Sequence, residues 1–350
     1  MRPAFALLLL ALSENKVLGT GPNGEAPTPP IGFELTPSEL ERVRTMHATA
    51  AIVMHYGGND WSQAQIAGLK TQFAAMGIDV IAVTDAGFNP AKQVRDIESV
   101  LAERPDIVVS IPTDPVATAP AYRQAASQGV KLVFMDNVPD GMRAGADYLS
   151  VVSADNYGNG VASAHLMAQA LEGRGTVGIV FHEADFFVTR QRHDAFRQTI
   201  EESYPDIEIV EEQGIGGPDF AADAQNLASA MLSRHRDLAG IWAVWDVPAE
   251  GVIAAARAAG RNDLAITTVD LGLKVALELA RGGLVCGVGA QRPFDQGIYE
   301  AELAAYGLLG KQAPAYVALP ALPVSKLSVL EAWESVYHRS PPQELVNAAI

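Results

Sequence analysis

AIVMHYGGNDWSQAQIAGLK, residues 51–70, opens as a strand and closes as a helix, and the same alternation runs through most of the chain. Ala50–Met54 is a short apolar run containing β-branched Ile52 and Val53, the composition of a buried strand. After His55–Trp61, Ile66, Leu69, Phe73 and Met76 recur on one helical face, and Gly77 follows as a left-handed cap. Working outward, Asp79–Thr84 reads as the next strand. Asn89 then caps a helix with Pro90 in its first turn and Val94, Ile97 and Leu101 facing inward. Ile107–Ile111 and Lys131–Met135 are two further strands, separated by a helix that stops near Gly129. Short strands alternating with amphipathic helices predict βαβ units around a parallel sheet.

A second series begins after Tyr148–Val152. Its strands are Thr176–Val180, Ile207–Val210, Leu238–Val244, Ala265–Val269 and Leu284–Val288, with helices over Gly160–Leu171, Arg190–Glu202, Ala221–Ser233 and Ala249–Ala259. The expected fold is therefore α/β, with two consecutive doubly wound, Rossmann-like lobes and no short sequence repeat. In such sheets ligands bind at the carboxyl ends of the strands. The unusual polar and aromatic residues fall there: His55–Trp61, Asp136–Asn137, His182–Arg190, Trp245–Asp246, Asp270 and Gln291. Packing of strands and helices needs none of them, and their convergence predicts a cleft between the lobes.

The bulk properties agree. A chain of 350 residues suits two domains of roughly 120–150 residues each. Apolar residues make up 49% and charged residues 19%, as in a packed globular protein. A net charge of −16 argues against nucleic acid, whose phosphates demand concentrated Lys and Arg. Arg2 followed by the apolar run Ala4–Leu12 is too short to span a bilayer and matches a signal-peptide core, so export is expected. No cysteine follows that run, which speaks against a lipoprotein anchor. Leu18–Pro37, rich in Gly, Pro and Thr, reads as a linker outside the core. The single cysteine, Cys286, lies in an apolar strand and reads as a small buried residue.

Enzyme motifs are not met. Gly287-x-Gly289 and Gly158-x-Gly160 lack the third glycine of a dinucleotide fingerprint, and there is no phosphate-binding Gly-Lys-Ser/Thr. His182-Glu183 has no second zinc histidine, and no Gly-x-Ser-x-Gly elbow is present. Asp136–Asp147 places Val138 where a calcium loop needs an oxygen. No catalytic residue, metal or cofactor is expected.

The segments AIVMHYGGNDWSQAQIAGLK, NPAKQVRDIESVL with DIVVSIPTDP, KLVFMDN, VVSADNYGNG, RQRHDAF, WAVWDVPAEGVIAA, TTVD and GAQRPFDQG occur in that order. Together they resemble the type 1 periplasmic binding proteins, in the ribose-binding-like branch that serves sugar ABC transporters. The resemblance implies two discontinuous lobes joined by three crossovers: 46–153 plus 292–319, and 154–291 plus 320–330, with hinges near Ser153, Gln291 and Leu319. A signal segment (1–21), a linker (22–45) and a C-terminal extension (331–350) lie outside them.

The resemblance also implies a site. Asn59 and Trp61 match a polar contact and an aromatic wall, and His55 stands at the same strand end. Asp136 matches a carboxylate that takes two sugar hydroxyls; Asn137 replaces an arginine, which disfavours ribose itself. Arg190 matches a guanidinium at a helix start, able to grip neighbouring hydroxyls. Phe187, with Phe186 beside it, and Phe220 are candidate walls of the second lobe. Trp245 and Asp246 stand where an amide and an acid are usual, Trp242 reading as core. Asp270 and Gln291 match a carboxylate and a hinge amide. Sugars need such bidentate polar groups and flat rings, and the carboxylates disfavour an acidic ligand.

A small neutral sugar or polyol is thus the expected ligand, trapped by hinge closure in a monomeric periplasmic protein that then docks on an ABC permease. The alternative is a ligand-sensing module for a chemoreceptor or membrane kinase. A repressor-type sugar sensor would need a helix-turn-helix headpiece of roughly sixty residues before the first strand, where this chain has an apolar run and a Pro-rich stretch.

Overall fold

The computed structural model describes residues 16–350; the apolar run Ala4–Leu12 lies outside them. In chain order the first elements are α1 (Pro37–Met46), β1 (Thr49–Met54), α2 (Asp60–Met76), β2 (Asp79–Asp85), α3 (Pro90–Ala102), β3 (Ile107–Ser110), α4 (Ala119–Ser127), β4 (Lys131–Met135) and β5 (Ser150–Ala154). Next come α5 (Asn156–Ala170), β6 (Gly175–His182), α6 (Phe187–Ser203), β7 (Ile207–Ile215), α7 (Phe220–Arg234) and β8 (Gly240–Ala243). They are followed by α8 (Asp246–Ala258), β9 (Ala265–Val269), α9 (Leu273–Arg281) and β10 (Val285–Ala290). The chain ends with α10 (Pro293–Leu309), β11 (Tyr316–Leu319), β12 (Leu322–Val324), α11 (Val329–Tyr337) and α12 (Gln343–Ala349).

These elements form two compact units. The first comprises Thr20–Ala154 and Pro293–Leu319; the second comprises residues 16–19, Asp155–Arg292 and Pro320–Ile350. The first unit holds a six-stranded sheet in the order β11-β5-β4-β3-β1-β2, parallel throughout. Its inner strands are buried along their length, which is why they read as continuous apolar runs rather than alternating ones. β2, at the edge, alternates between half-buried and exposed residues instead. Asn59 starts α2 by accepting the Ser62 N–H at 3.0 Å, and Gly77 ends it at φ 72°. α2 and α10 cross at backbone contact. A Cβ on Gly68 would stand 2.1 Å from the Phe294 carbonyl oxygen, and one on Gly297 would stand 2.5 Å from that of Gln65.

The second unit repeats the plan with the order β12-β10-β9-β8-β6-β7, β12 alone running antiparallel among its described strands. Trp242 on β8 is fully buried, stacks on Phe196 at 4.9 Å and donates its indole N–H to Ser163 Oγ at 2.9 Å. Cys286, expected to be buried, is half-buried on β10.

Two segments expected outside the packed lobes belong to them. Between Leu18 and Pro37, Thr28 pairs with the β11 edge, its N–H reaching the Tyr316 carbonyl at 3.0 Å. Phe33 is buried edge-on against Tyr299 and Tyr306 of α10, and Val43 of α1 is fully buried. An open sheet edge and an uncovered aromatic face on α10 are what this stretch covers. The C-terminal extension is integral in the same way. Trp333 of α11 is fully buried against Tyr337 at 4.3 Å, and Tyr337 Oη donates to the Leu271 carbonyl at 2.7 Å. Among the described residues no helix is long and apolar enough to cross a membrane.

Candidate functional site

In a doubly wound sheet the crevice opens where the strand order reverses. That point lies between β1 and β3 in the first sheet and between β6 and β8 in the second.

In the first unit, His55 and Tyr56 lead from β1 into α2. His55 meets Phe88 edge to face at 4.9 Å and Trp61 at 6.1 Å, and Tyr56 stacks on Phe88 at 5.0 Å. The loop is closed onto α2 by Ser62 Oγ, which donates to the Tyr56 carbonyl, and by Gln63 Nε2, which donates to that of Gly57, both at 2.6 Å. Asn59 therefore spends its carbonyl oxygen on the helix cap. Trp61 is buried, with an indole N–H that has no partner among the described residues. After β3, Thr113 donates its N–H and hydroxyl to Gln93 Oε1 at 2.7 and 2.8 Å. β4 runs out into Asp136, in the left-handed region at φ 53°. Ser153 Oγ donates to Asp136 Oδ1 at 2.7 Å, and Gln296 Nε2 reaches the same oxygen at 3.4 Å. Beside it, Asn137 is buried and its Oδ1 accepts no hydrogen bond among the described residues.

The second unit mirrors this arrangement. β9 ends at Asp270, also left-handed at φ 72°. Gln291 Nε2 donates to Asp270 Oδ1 at 2.6 Å, and Arg192 Nη1 lies 3.6 Å from Oδ2. Arg192 is 4% exposed. Its Nε donates to Asn156 Oδ1 at 2.7 Å and its Nη1 to the Val244 carbonyl at 3.3 Å, which holds the fork in one plane. Burial raises the Asp270 pKa above the usual carboxylate range, while Arg192 and the Gln291 bond pull it back. Around this pair stand rings: His182 stacks on Phe186 at 5.2 Å and meets Phe220 and Trp245 edge-on at 5.4 Å each. Asp246, buried in the first turn of α8, accepts the Val247 N–H at 2.9 Å.

Two of the residues expected at the site stand apart from the groups just described. Arg190 is half-exposed and pairs with Asp185, so the buried guanidinium of this edge is Arg192, one helical step of two residues further along α6. The wall beside His182 is Phe186, whereas Phe187 opens α6 half-buried and outside this ring cluster. In the first unit His55 and Trp61 meet after β1, and Asp136 and Asn137 follow β4; in the second Phe220 meets Trp245, Asp246 opens α8, and Gln291 binds Asp270. Arg192, His182 and Ser153, which line the same strand ends, are not among the contacts expected from the sequence. The RQR triplet held two candidate guanidinia, and only the helical phase of α6 separates them: Arg192 shares its buried face with Ala195, Phe196 and Thr199.

His182 supplies a pH test. Burial, then the Arg192 charge, lower its pKa to about 4 from an ordinary 6.5. The imidazole is therefore neutral in the fold, and its contribution to stability is present above pH 6.5 and lost as pH falls toward 4. In His182→Gln the fall in melting temperature across that window should shrink by several degrees. His165, also lowered to about 4 by burial, should leave its own share of the slope in place. An unchanged slope in the variant would mean that the His182 ring is solvated.

Comparison with known proteins gives the family. The periplasmic binding protein domain model matches residues 50–312. The chain belongs to this family. Within it, the D-ribose/D-allose-binding protein of Pseudomonas aeruginosa is 29% identical over 173 residues, 49% of this chain and about half (53%) of that protein. The ribose import binding protein of Salmonella typhimurium is 23% identical over 272 residues, 76% of this chain and 87% of its own. A solved ABC sugar transporter subunit from Rhodobacter sphaeroides, 26% identical, superimposes with a TM-score of 0.71 over 80% of this chain and 98% of its own. Two α/β units with parallel sheets are the fold of type 1 periplasmic binding proteins.

Proposed function

We propose that this periplasmic binding protein is the solute-binding component of an ABC importer and takes a small, uncharged sugar or polyol. The observation that carries this reading is a set of buried polar atoms at the two sheet edges that have no partner among the described residues. They are Asn137 Oδ1 in the first unit, and Gln291 Oε1 and His182 Nδ1 in the second. A buried unpaired amide or imidazole costs on the order of 1–3 kcal/mol, so such groups persist where an outside partner satisfies them. Acceptors and donors beside aromatic faces match the hydroxyls and C–H faces of a sugar. The buried cation is already neutralised by Asp270, and Asp136 and Asp246 add further negative charge, which favours a neutral guest over an acid. The names of the relatives, D-ribose/D-allose-binding and ribose import binding proteins, support the same ligand class and a role in import, for which we infer a permease partner.

Melting curves with a panel of neutral sugars and polyols, including D-ribose and D-allose, test this. Saturation at a hundredfold excess over Kd is worth about 2.7 kcal/mol, a rise of several degrees for units of this size. A melting point moved only by amino acids or organic anions would sink the assignment.

A further inference from the structure

Beneath Asp136, where α2 crosses α10, lies a polar cluster that the site described above does not use. Gln65, Gln296 and Glu300 are fully buried. Among the described residues, both amide atoms of Gln65, Oε1 of Gln296 and both carboxyl oxygens of Glu300 lack a hydrogen bond of good geometry, although the Gln65 amide is close enough to act on Glu300. Gln296 and Glu300 are one helical turn apart on α10, and the close approach at Gly68 and Gly297 leaves their side chains no solvent to face. Gln296 also touches Asp136 through Nε2, so the cluster is continuous with the strand-end carboxylate.

We propose that Glu300 carries a proton at neutral pH and acts as a positioning residue for Asp136, holding that carboxylate charged and oriented through Gln65 and Gln296. The proposal rests on the reading of Asp136 as a sugar contact. Burial and a neighbouring carboxylate each disfavour the charged form of a carboxyl group. Among the described residues, the interactions acting on Glu300 come from Asp136 at the end of β4 and from Gln65 on α2. Glu302, on the same helix, turns instead to Gln72 and Glu34. Asp136 is the member stabilised as an anion, because the Ser153 hydroxyl and the Gln296 amide donate to it. Glu300 is left to keep the proton, and a protonated Glu300 gains an O–H to give to Gln65 Oε1 or Gln296 Oε1, both of which lack a donor. Burial first, and the Asp136 charge second, raise its pKa well above the usual carboxylate range.

The sign of the linkage follows. The stabilising share of a group whose pKa is raised by folding is complete below its unfolded pKa, and is lost as pH climbs through the folded one. Glu300→Gln, neutral at every pH, should flatten the decline in melting temperature toward alkaline pH and raise the melting temperature at pH 8 by several degrees. At pH 8, where Glu302 with a pKa of about 7 is mostly ionised, the infrared difference between wild type and Glu300→Gln should contain a protonated-carboxyl carbonyl band. In Asp136→Asn, which removes the neighbouring charge, that band should titrate away at lower pH. Calorimetric titration with D-allose and D-ribose should show wild-type affinity falling up to tenfold per pH unit once Glu300 ionises, with Glu300→Gln insensitive. An absent band with an unchanged melting slope, or sugar affinity that stays flat while the band titrates, would overturn the proposal. Band and slope as expected with neither sugar bound would remove the sugar reading and leave the proton on Glu300.

Discussion

Arg192→Ala should abolish sugar binding and lower stability by about 3 kcal/mol, whereas Arg190→Ala should do neither. Arg192 is buried against Asp270, Asn156 and the Val244 carbonyl. Removing one member of a buried ion pair leaves the other uncompensated, typically at a cost of about 3–5 kcal/mol. The lower end applies here because Asp270 retains the Gln291 bond and, its pKa already raised, can take up a proton. Binding loses the donors of a charged fork, each worth about 1.5–3 kcal/mol, so two lost contacts exceed a hundredfold in Kd. Arg190 sits in a half-exposed pair with Asp185, and such pairs contribute about 0–1 kcal/mol. Denaturant melts and sugar titrations on the two single variants decide between them. Loss of binding in Arg190→Ala with binding retained in Arg192→Ala would reverse the assignment.

Trp333→Ala should destabilise the second unit by about 3–5 kcal/mol and weaken sugar binding as well. The first effect is that of emptying a fully buried indole site. The second comes from what α11 holds: Tyr337, packed on Trp333, donates to the carbonyl of Leu271, the residue after Asp270. Asp270 is in the left-handed region, a conformation costing about 1–3 kcal/mol that persists only when its surroundings hold it. Loosening Tyr337 frees the turn, so Tyr337→Phe, which leaves the Leu271 carbonyl unpaired, should reproduce the affinity loss with a smaller stability loss. Sugar affinity unchanged in both variants would show that the turn at Asp270 holds itself.

Much of the architecture is legible because its signals are local. Apolar runs such as Ala50–Met54 and Lys131–Met135, caps such as Asn59 and Asn89, and Gly77 at φ 72° act within a few residues of themselves. The strand-end positions of Asp136, Trp245, Asp270 and Gln291 follow from the same counting. What is not legible is which of two close neighbours faces inward. Arg190 and Arg192 differ by two residues, or some 200° around a helix, and Phe186 and Phe187 by one. The Gln65–Gln296–Glu300 cluster had a weaker trace: Gln65 lies one turn before Leu69 on the buried face of α2, a polar residue at a core position.

The sequence alone determined the α/β class, the doubly wound order of elements and which strand ends carry unusual polar and aromatic residues, because backbone propensity and hydrophobic period are set by near neighbours. Tertiary structure alone decided that Thr28, Phe33 and Trp333 belong to the packed units, that Arg192 rather than Arg190 faces Asp270, and that Glu300 lies beneath Asp136. These facts depend on contacts between residues far apart in the chain. Gln296 and Asp136 are 160 positions apart, and only the crossing of α2 and α10 at two glycines, with the sheet beside it, brings such groups within reach.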